Sequence, residues 1–229
     1  MSKMLNTESG HMKTKKITTK IDPPKIPHEL VDKSSSAMDI QPEDCIERAL
    51  FQDCSIDSRT LDHVTFDEVI FRNVNFSNSR FINLEVTDVI FDKCDLSNTD
   101  FSNSSIHRTE FRNCKILGLN LSESTLRNIQ FQNCLGEFSN FRFSNMKQVN
   151  MDDCSFSSSD FCYSTFEQVN FLRSNIEQSQ FSGAKHKGID FSTCEFSSLS
   201  INLEDLKGCT ISPEQAYVFA GLLGLIIKD

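Results

Sequence analysis

The chain has 229 residues, with 23 Lys or Arg against 32 Asp or Glu and a formal net charge of −9. That length suits one elongated domain with short appendages, and no run of 18 apolar residues is present, which excludes a helical membrane span. The negative balance repels nucleic acid, so direct nucleic-acid binding is not expected.

The first 45 residues carry no repeat and seven charges of each sign; residues 1–45 read as a flexible lead-in. Met1 to Met12 ends in Gly-His-Met and reads as an expression remnant, with Met12 as the natural start. The lysine-rich start has no apolar stretch of the secretory kind, so a cytoplasmic protein is expected. Asp22-Pro23-Pro24-Lys25-Ile26-Pro27 reads as an extended, polyproline-like approach to the repeat region.

From Ile46 to Ile211 every fifth residue is a centre, and of these 34 centres 32 are Ile, Leu, Val, Met or Phe. Only Gly136 and His186 depart from the rule, and seventeen of the twenty Phe sit on this register. A helix of period 3.6 or a strand of period 2 would lose such a pattern quickly. Two residues before each centre stands a small or β-branched residue, such as Cys54, Val64, Val69, Val74, Ser79 or Thr99. The other three positions are polar, as in Asp100-Phe101-Ser102-Asn103. Two of five residues therefore face inward and three outward, as in a chain that turns a corner every five residues. Four sides close a coil of 20 residues, and coils stack through backbone hydrogen bonds. Residues 46–211 then form about eight coils, a rod roughly 40 Å long.

This unit resembles the pentapeptide repeat, A(D/N)LXX, without a slip in register over residues 46–211. The resemblance implies an all-β fold, a right-handed quadrilateral parallel β-helix.

Placed on that register, Cys54, Cys94, Cys114, Cys134, Cys154 and Cys194 fall on one inward stack, separated by multiples of twenty. They read as small hydrophobes filling the narrow slot rather than as metal ligands or disulfides, and the odd total of nine suits a reducing compartment. Cys45 and Cys162 fall outside that stack and are expected to be outward and more reactive. Gly136 leaves a gap that Phe138 is expected to fill by swinging inward. His186, on an inward centre, is expected to mark a loosened, partly solvated side.

The rod carries 23 acidic and 15 basic residues, so nearly all the excess negative charge lies on it. Glu47, Asp67, Glu68, Glu85, Asp88 and Asp92 gather toward the N-terminal half as an acidic stripe. Farther along the same side stand His107, Arg108, Arg127, Lys147, Lys185, Lys187 and Lys207. Leu50, Ile70 and Ile90, twenty apart, form an outward aliphatic strip that Ile21, Ile26, Leu30 or Val31 is expected to cover. Phe143 and Tyr163, at the same corner one coil apart, are expected contact aromatics for a protein partner. No phosphate loop, nucleophile set or histidine cluster is present, so no catalysis, no metal and no cofactor is expected.

Residues 212–229 break the repeat. Ser212-Pro213-Glu214-Gln215 reads as a helix start with a capping box, and the residues from Ala216 onward are apolar nearly all round. Such a helix must bury a second face, and a twofold homodimer through Tyr217, Val218, Phe219, Leu222, Leu223, Leu225, Ile226 and Ile227 is expected. The run Leu223-Gly224-Leu225-Ile226-Ile227 is similar to the dimerisation module of the Qnr and MfpA group of pentapeptide-repeat proteins. That resemblance implies a DNA-mimicking dimer that binds DNA gyrase and topoisomerase IV and protects them from fluoroquinolones. Plasmid-type Qnr proteins carry projecting loops, and here the register is unbroken, so loop-based protection does not carry over. Two other readings stand beside it: a scaffolding rod without a topoisomerase partner, and an immunity factor against a gyrase-directed toxin.

Overall fold

A computed structural model describes residues 20–226 and residue 228; the remnant read at 1–12 and Ile227 lie outside the described residues. The strands are β1 (Val31–Asp32), β2 (Cys45–Glu47), β3 (Ala49–Gln52), β4 (Thr60–Asp62), β5 (Thr65–Arg72), β6 (Arg80–Ile82), β7 (Glu85–Asp92), β8 (Ser105–Arg112), β9 (Thr125–Gln132), β10 (Asn145–Asp152) and β11 (Thr165–Leu172). Among the described residues one α-helix, α1 (Ala216–Leu222), follows the last coil. The main sheet runs β1-β3-β5-β7-β8-β9-β10-β11, all parallel, in steps of twenty residues from β3 onward, so that Thr65 faces Glu85, Ser105 and Thr125 in turn. Isolated parallel bridges carry the same step on to Thr210. The architecture is the expected parallel β-solenoid with a C-terminal helix.

The five-residue corner has a backbone signature. Two residues after a centre the chain enters the left-handed region, as at Asn73 (φ 50°), Asn98 (φ 54°) and Asn113 (φ 54°). Asn tolerates this conformation better than other non-glycine residues, which explains its frequency there. On the tighter sides the Asp or Asn before the centre folds back as an Asx turn. Asp100 Oδ1 accepts the Ser102 amide at 3.0 Å, and Asn175 Oδ1 that of Glu177 at 2.9 Å.

The small inward slot is selected by hydrogen bonding as well as by size. Ser79 Oγ donates to the Ile56 carbonyl at 2.7 Å, Thr99 Oγ1 to Phe76 at 3.0 Å, and Ser139 Oγ to Ile116 at 2.8 Å. Cys94, Cys114, Cys134 and Cys194 thiols make the same contact, each with the carbonyl 23 residues earlier. The cysteine stack is thus made of free inward thiols that satisfy buried carbonyls. Between them the Phe rings stack at the coil spacing. Phe71, Phe91, Phe111 and Phe131 lie 5.1, 4.9 and 4.7 Å apart, within 14° of parallel.

Phe138 does not fill the place left by Gly136. It sits on a left-handed corner (φ 62°) with its ring 69% exposed, because the corner geometry aims its Cβ outward. The column closes instead from above and below, where a Cβ on Gly136 would meet Phe156 Cε1 at 2.8 Å and Ile116 Cγ1 at 3.0 Å.

Residues 20–45, expected as a flexible lead-in, follow a defined path on the rod. β1 joins the edge of the first coil, Val31 N donating to Arg48 O and Lys33 N to Leu50 O, each at 2.9 Å. A 3-10 turn at Ser34–Asp39 then lays Ala37 and Ile40 over the open end of the core, and Arg59 Nη2 donates to Ile40 O at 2.8 Å. The first coil is therefore capped by chain that carries no repeat, as terminal units of a solenoid must be.

At the other end, Gly188 (φ 117°) lies against Gly208, where a Cβ would come within 2.2 Å of a backbone oxygen, so the two glycines permit close stacking. The reciprocal bonds expected between Ser212 and Gln215 form, Ser212 N donating to Gln215 Oε1 at 2.9 Å and Gln215 N to Ser212 Oγ at 3.4 Å. They close the turn before the helix, however, which begins at Ala216 with Gln215 rather than Ser212 at its N-cap.

Candidate functional site: an acidic ladder and two ends

Charged side chains on stacked coils mostly meet an opposite charge. Arg48 pairs with Glu68 at 2.8 Å, Arg108 with Asp88 at 2.6 Å, and Arg173 with Asp153 at 2.9 Å; Lys147 pairs with Glu167. Two stretches break this rule: Arg127 stands in register against Lys147 farther along, and acidic residues gather on the first coils. Glu47 of β2 faces Asp67 of β5 in register, with Glu85 of β7 on the same side of the rod. Like charges stacked across a ladder destabilise it. Glu47, Asp67 and Glu85 make no ion pair among the described residues, and Glu47 and Glu85 are exposed. Partial burial raises the Asp67 carboxyl above its usual range, and Glu68, Asp88 and Glu47 add to the shift.

The other stripe residues have different surroundings. Glu68 is half-buried and tied to Arg48. Asp92 stands in register between Arg72 and Arg112, on the next side of the rod. Asp88 is removed from the exposed set, being 5% exposed beneath the N-terminal segment. Its carboxylate accepts Nε and Nη2 of the Arg108 guanidinium, each at 2.6 Å, and the Lys25 amide at 2.8 Å. Burial pushes that carboxyl up, but the Arg108 hydrogen bonds and the Lys25 amide outweigh it and hold it below the usual carboxylate range.

The thiols also differ from expectation. Cys45 is exposed, yet desolvation, its hydrogen bond to Glu47 and the neighbouring carboxylates of Asp67 and Glu85 raise its pKa and suppress the thiolate. Cys162 is not outward but buried, since the corner pulls it in beside Asp160. Burial, followed by Asp160, pushes its thiol up to about 11.

Phe143 and Tyr163 occupy left-handed corners and remain about half exposed, stacked at 5.3 Å and 14°. The Arg142 guanidinium lies over both rings, 5.0 and 4.9 Å from their centres, and reaches Asp160 at 3.3 Å. Bulky residues are costly in this backbone region, so this exposed aromatic–arginine cluster is kept against local preference.

At the C-terminal end the helix divides its residues. Gln215 is buried, and its Nε2 donates to the carbonyls of Phe191 and Cys194, each at 2.8 Å. Phe219, expected in a dimer contact, instead packs on Phe196 of its own rod at 6.0 Å. Val218 is half-buried, while Tyr217, Leu222, Leu223, Leu225 and Ile226 are exposed, Ile226 at 87%. His186 is half-buried; its Nδ1 accepts the Gly188 amide at 3.0 Å while Nε2 has no partner. Desolvation lowers its pKa, and Asp205 only partly offsets this.

Among the described residues no group of three or more His, Cys, Asp or Glu is placed to hold a metal ion, and no helix is long and apolar enough to cross a membrane. Of the signals that sequence reading missed, the double anchoring of Gln215 had a partial one in its capping-box position. The bond of Lys25 to Asp88 had none.

Two family profiles match the chain. That of the pentapeptide repeat region matches residues 84–161, and that of pentapeptide repeats (8 copies) matches residues 60–98 and 150–185. No curated protein matches it in sequence. Among solved structures it is similar to HetL, a pentapeptide repeat protein involved in heterocyst differentiation regulation from the cyanobacterium Nostoc sp. strain PCC 7120. That likeness has 15% identity, covers 75% of this chain and 84% of HetL, and has a TM-score of 0.49. It is also similar to full-length QnrB1, a plasmid-mediated fluoroquinolone resistance protein, at 21% identity, covering 86% of this chain and 95% of that one, with a TM-score of 0.37. Register and backbone thus form a parallel β-solenoid followed by a short C-terminal helix, and pentapeptide-repeat profiles match it within residues 60–185.

Proposed function

We propose that the rod is a binding module rather than an enzyme: a cytoplasmic, DNA-mimicking protein that docks on DNA gyrase or topoisomerase IV and protects the enzyme from fluoroquinolones. The observation that carries this reading is the acidic ladder on the first coils, where Glu47 stacks on Asp67 in register, Glu85 stands diagonally beyond on the next strand, and none of the three makes an ion pair among the described residues. Spaced carboxylates along a rigid edge can meet a basic groove that normally holds phosphates. The exposed face of α1 and its tail supplies the second element, a twofold contact that sets two ladders end to end in one particle. The Qnr and MfpA resemblance of the C-terminal run supports the choice of partner.

The test is a gyrase supercoiling reaction inhibited by ciprofloxacin, titrated with this protein from substoichiometric amounts to excess. Recovery of supercoiling is expected, and its loss in Glu47→Lys/Glu85→Lys would assign it to the ladder. Absence of both protection and inhibition, on gyrase and on topoisomerase IV, would leave the scaffolding reading. That second reading is favoured by the Phe143, Tyr163 and Arg142 cluster, which is aromatic and charge-balanced rather than acidic. A toxin-immunity role would share the acidic ladder and differ only in the poison that is relieved.

A further inference from the structure

Residues 20–32 run against the coil order along one corner of the rod, the one formed by Arg48, Glu68, Asp88, Arg108, Asn128 and Gln148. Gln148 Nε2 donates to Lys20 O at 3.1 Å, Asp22 N donates to Asn128 Oδ1 at 3.2 Å, and Lys25 N donates to Asp88 Oδ1 at 2.8 Å. The strap ends in β1, on the edge of the first coil. Six coils are thus spanned by an extended segment whose backbone is recognised by corner side chains.

Three observations separate this strap from the rod itself. Beneath it the coil-to-coil ladder is already complete in β5, β7, β8, β9 and β10. Along the same corner Asp88 and Asn128 are buried where the strap crosses, while Arg48 and Gln168, at its margins, are exposed. The charges also match: Lys25 acts on Asp88, and Asp22 acts on His107 and Arg108. Asp22-Pro23-Pro24-Lys25-Ile26-Pro27 holds three prolines, so little chain entropy is lost in laying it down.

We infer that the strap is an intramolecular competitor that masks the corner beside the acidic ladder, and that a basic partner must displace it to engage Glu47, Asp67 and Glu85 along their full length. The inference rests on the acidic ladder as the docking face. Release leaves the Asp88–Arg108 pair intact, since that pair is made within the rod. A partner's cation can then take the place of the Lys25 side chain, and its backbone or side chains the Asp88 and Asn128 acceptors.

The test uses the full chain with Asp22→Pro/Lys25→Pro, which deletes both donor amides, keeps the segment extended and leaves net charge unchanged. Asn128→Ala, on the rod and remote from the ladder, is the second variant. Amide hydrogen exchange of Asp22 and Lys25 in Asn128→Ala, and of Val31 and Lys33 in both variants, reports release, and binding is measured with a nonalysine peptide and with gyrase at low salt. Faster exchange with about threefold to tenfold tighter nonalysine binding in both variants is expected, as the masked fraction is removed. Unchanged exchange, or faster exchange with unchanged nonalysine affinity, would overturn the masking role. Tighter nonalysine binding without any gyrase binding would uphold the strap and refute the topoisomerase partner.

Discussion

His186 shows how one substitution in a periodic column creates a local weakness. It takes the centre between Phe166 and Leu206 in the twenty-residue step, with Nδ1 engaged by the Gly188 amide and Nε2 unpartnered. Its folded-state pKa lies below the usual 6.5 because partial burial disfavours the cation. The unfolded chain therefore binds the proton more readily, and stability falls as pH drops through about 6.5. Asp205 favours the protonated ring without cancelling the effect of burial, and Lys185 and Lys187 flank it in sequence. His186→Leu is expected to stabilise the rod by about 1 kcal/mol at neutral pH. It should also flatten the loss of melting temperature between pH 7 and 5. A variant that keeps the wild-type pH slope would show that the slope arises elsewhere. At the same scale, Phe143→Ser/Tyr163→Ser removes exposed rings from strained corners. Far-UV spectra and melting should be preserved while partner affinity falls at least about tenfold, the range of a buried aromatic anchor. Unchanged affinity would make the cluster a matter of corner packing.

The elements divide by how far their partners lie in sequence. The coils were legible because each centre, slot and corner repeats every five residues, so one wrong assignment would have broken the whole series. The turn before the helix was legible for a similar reason, since Ser212 and Gln215 are local partners. What lay beyond reading were contacts with no periodic or local trace: Lys25 on Asp88, Asp22 on Asn128, Phe219 on Phe196. Composition says that an apolar helix needs two buried faces, but not which residue turns to which face. Gln215 decides it by donating to Phe191 and Cys194, which fixes the rotation of α1 on the last coil. Gln215→Ala takes its donor from the Cys194 carbonyl, while the Phe191 carbonyl keeps the Cys194 amide, and should cost about 1 kcal/mol locally. The measurement is the monomer–dimer balance by sedimentation. A shift toward monomer is expected, with the melting of the coils retained, because in a solenoid the cost is confined to the terminal unit and its neighbour. A dimer unaffected by this change would place the twofold contact elsewhere.

Across the whole molecule, stability and the proposed function should pull in opposite directions at the acidic ladder. Stacked Glu47 and Asp67 repel, and Asp67 is protonated more easily in the folded rod than in the unfolded chain. Its ionisation is therefore unfavourable to folding, a penalty absent well below the usual carboxylate pKa and fully present above the raised one. Glu47→Gln/Asp67→Asn should accordingly raise the melting temperature at pH 7, with the gain fading as pH falls below about 4. The same variant should bind gyrase more weakly and with a shallower dependence on salt, since fewer charges screen and exchange at the contact. A rod made more stable and less active by one pair of neutral substitutions would mean that the ladder is retained for its partner. A rod made more stable with binding and salt dependence intact would mean that the acidic edge serves solubility, and that the docking face lies with the aromatic corner at Phe143 and Tyr163.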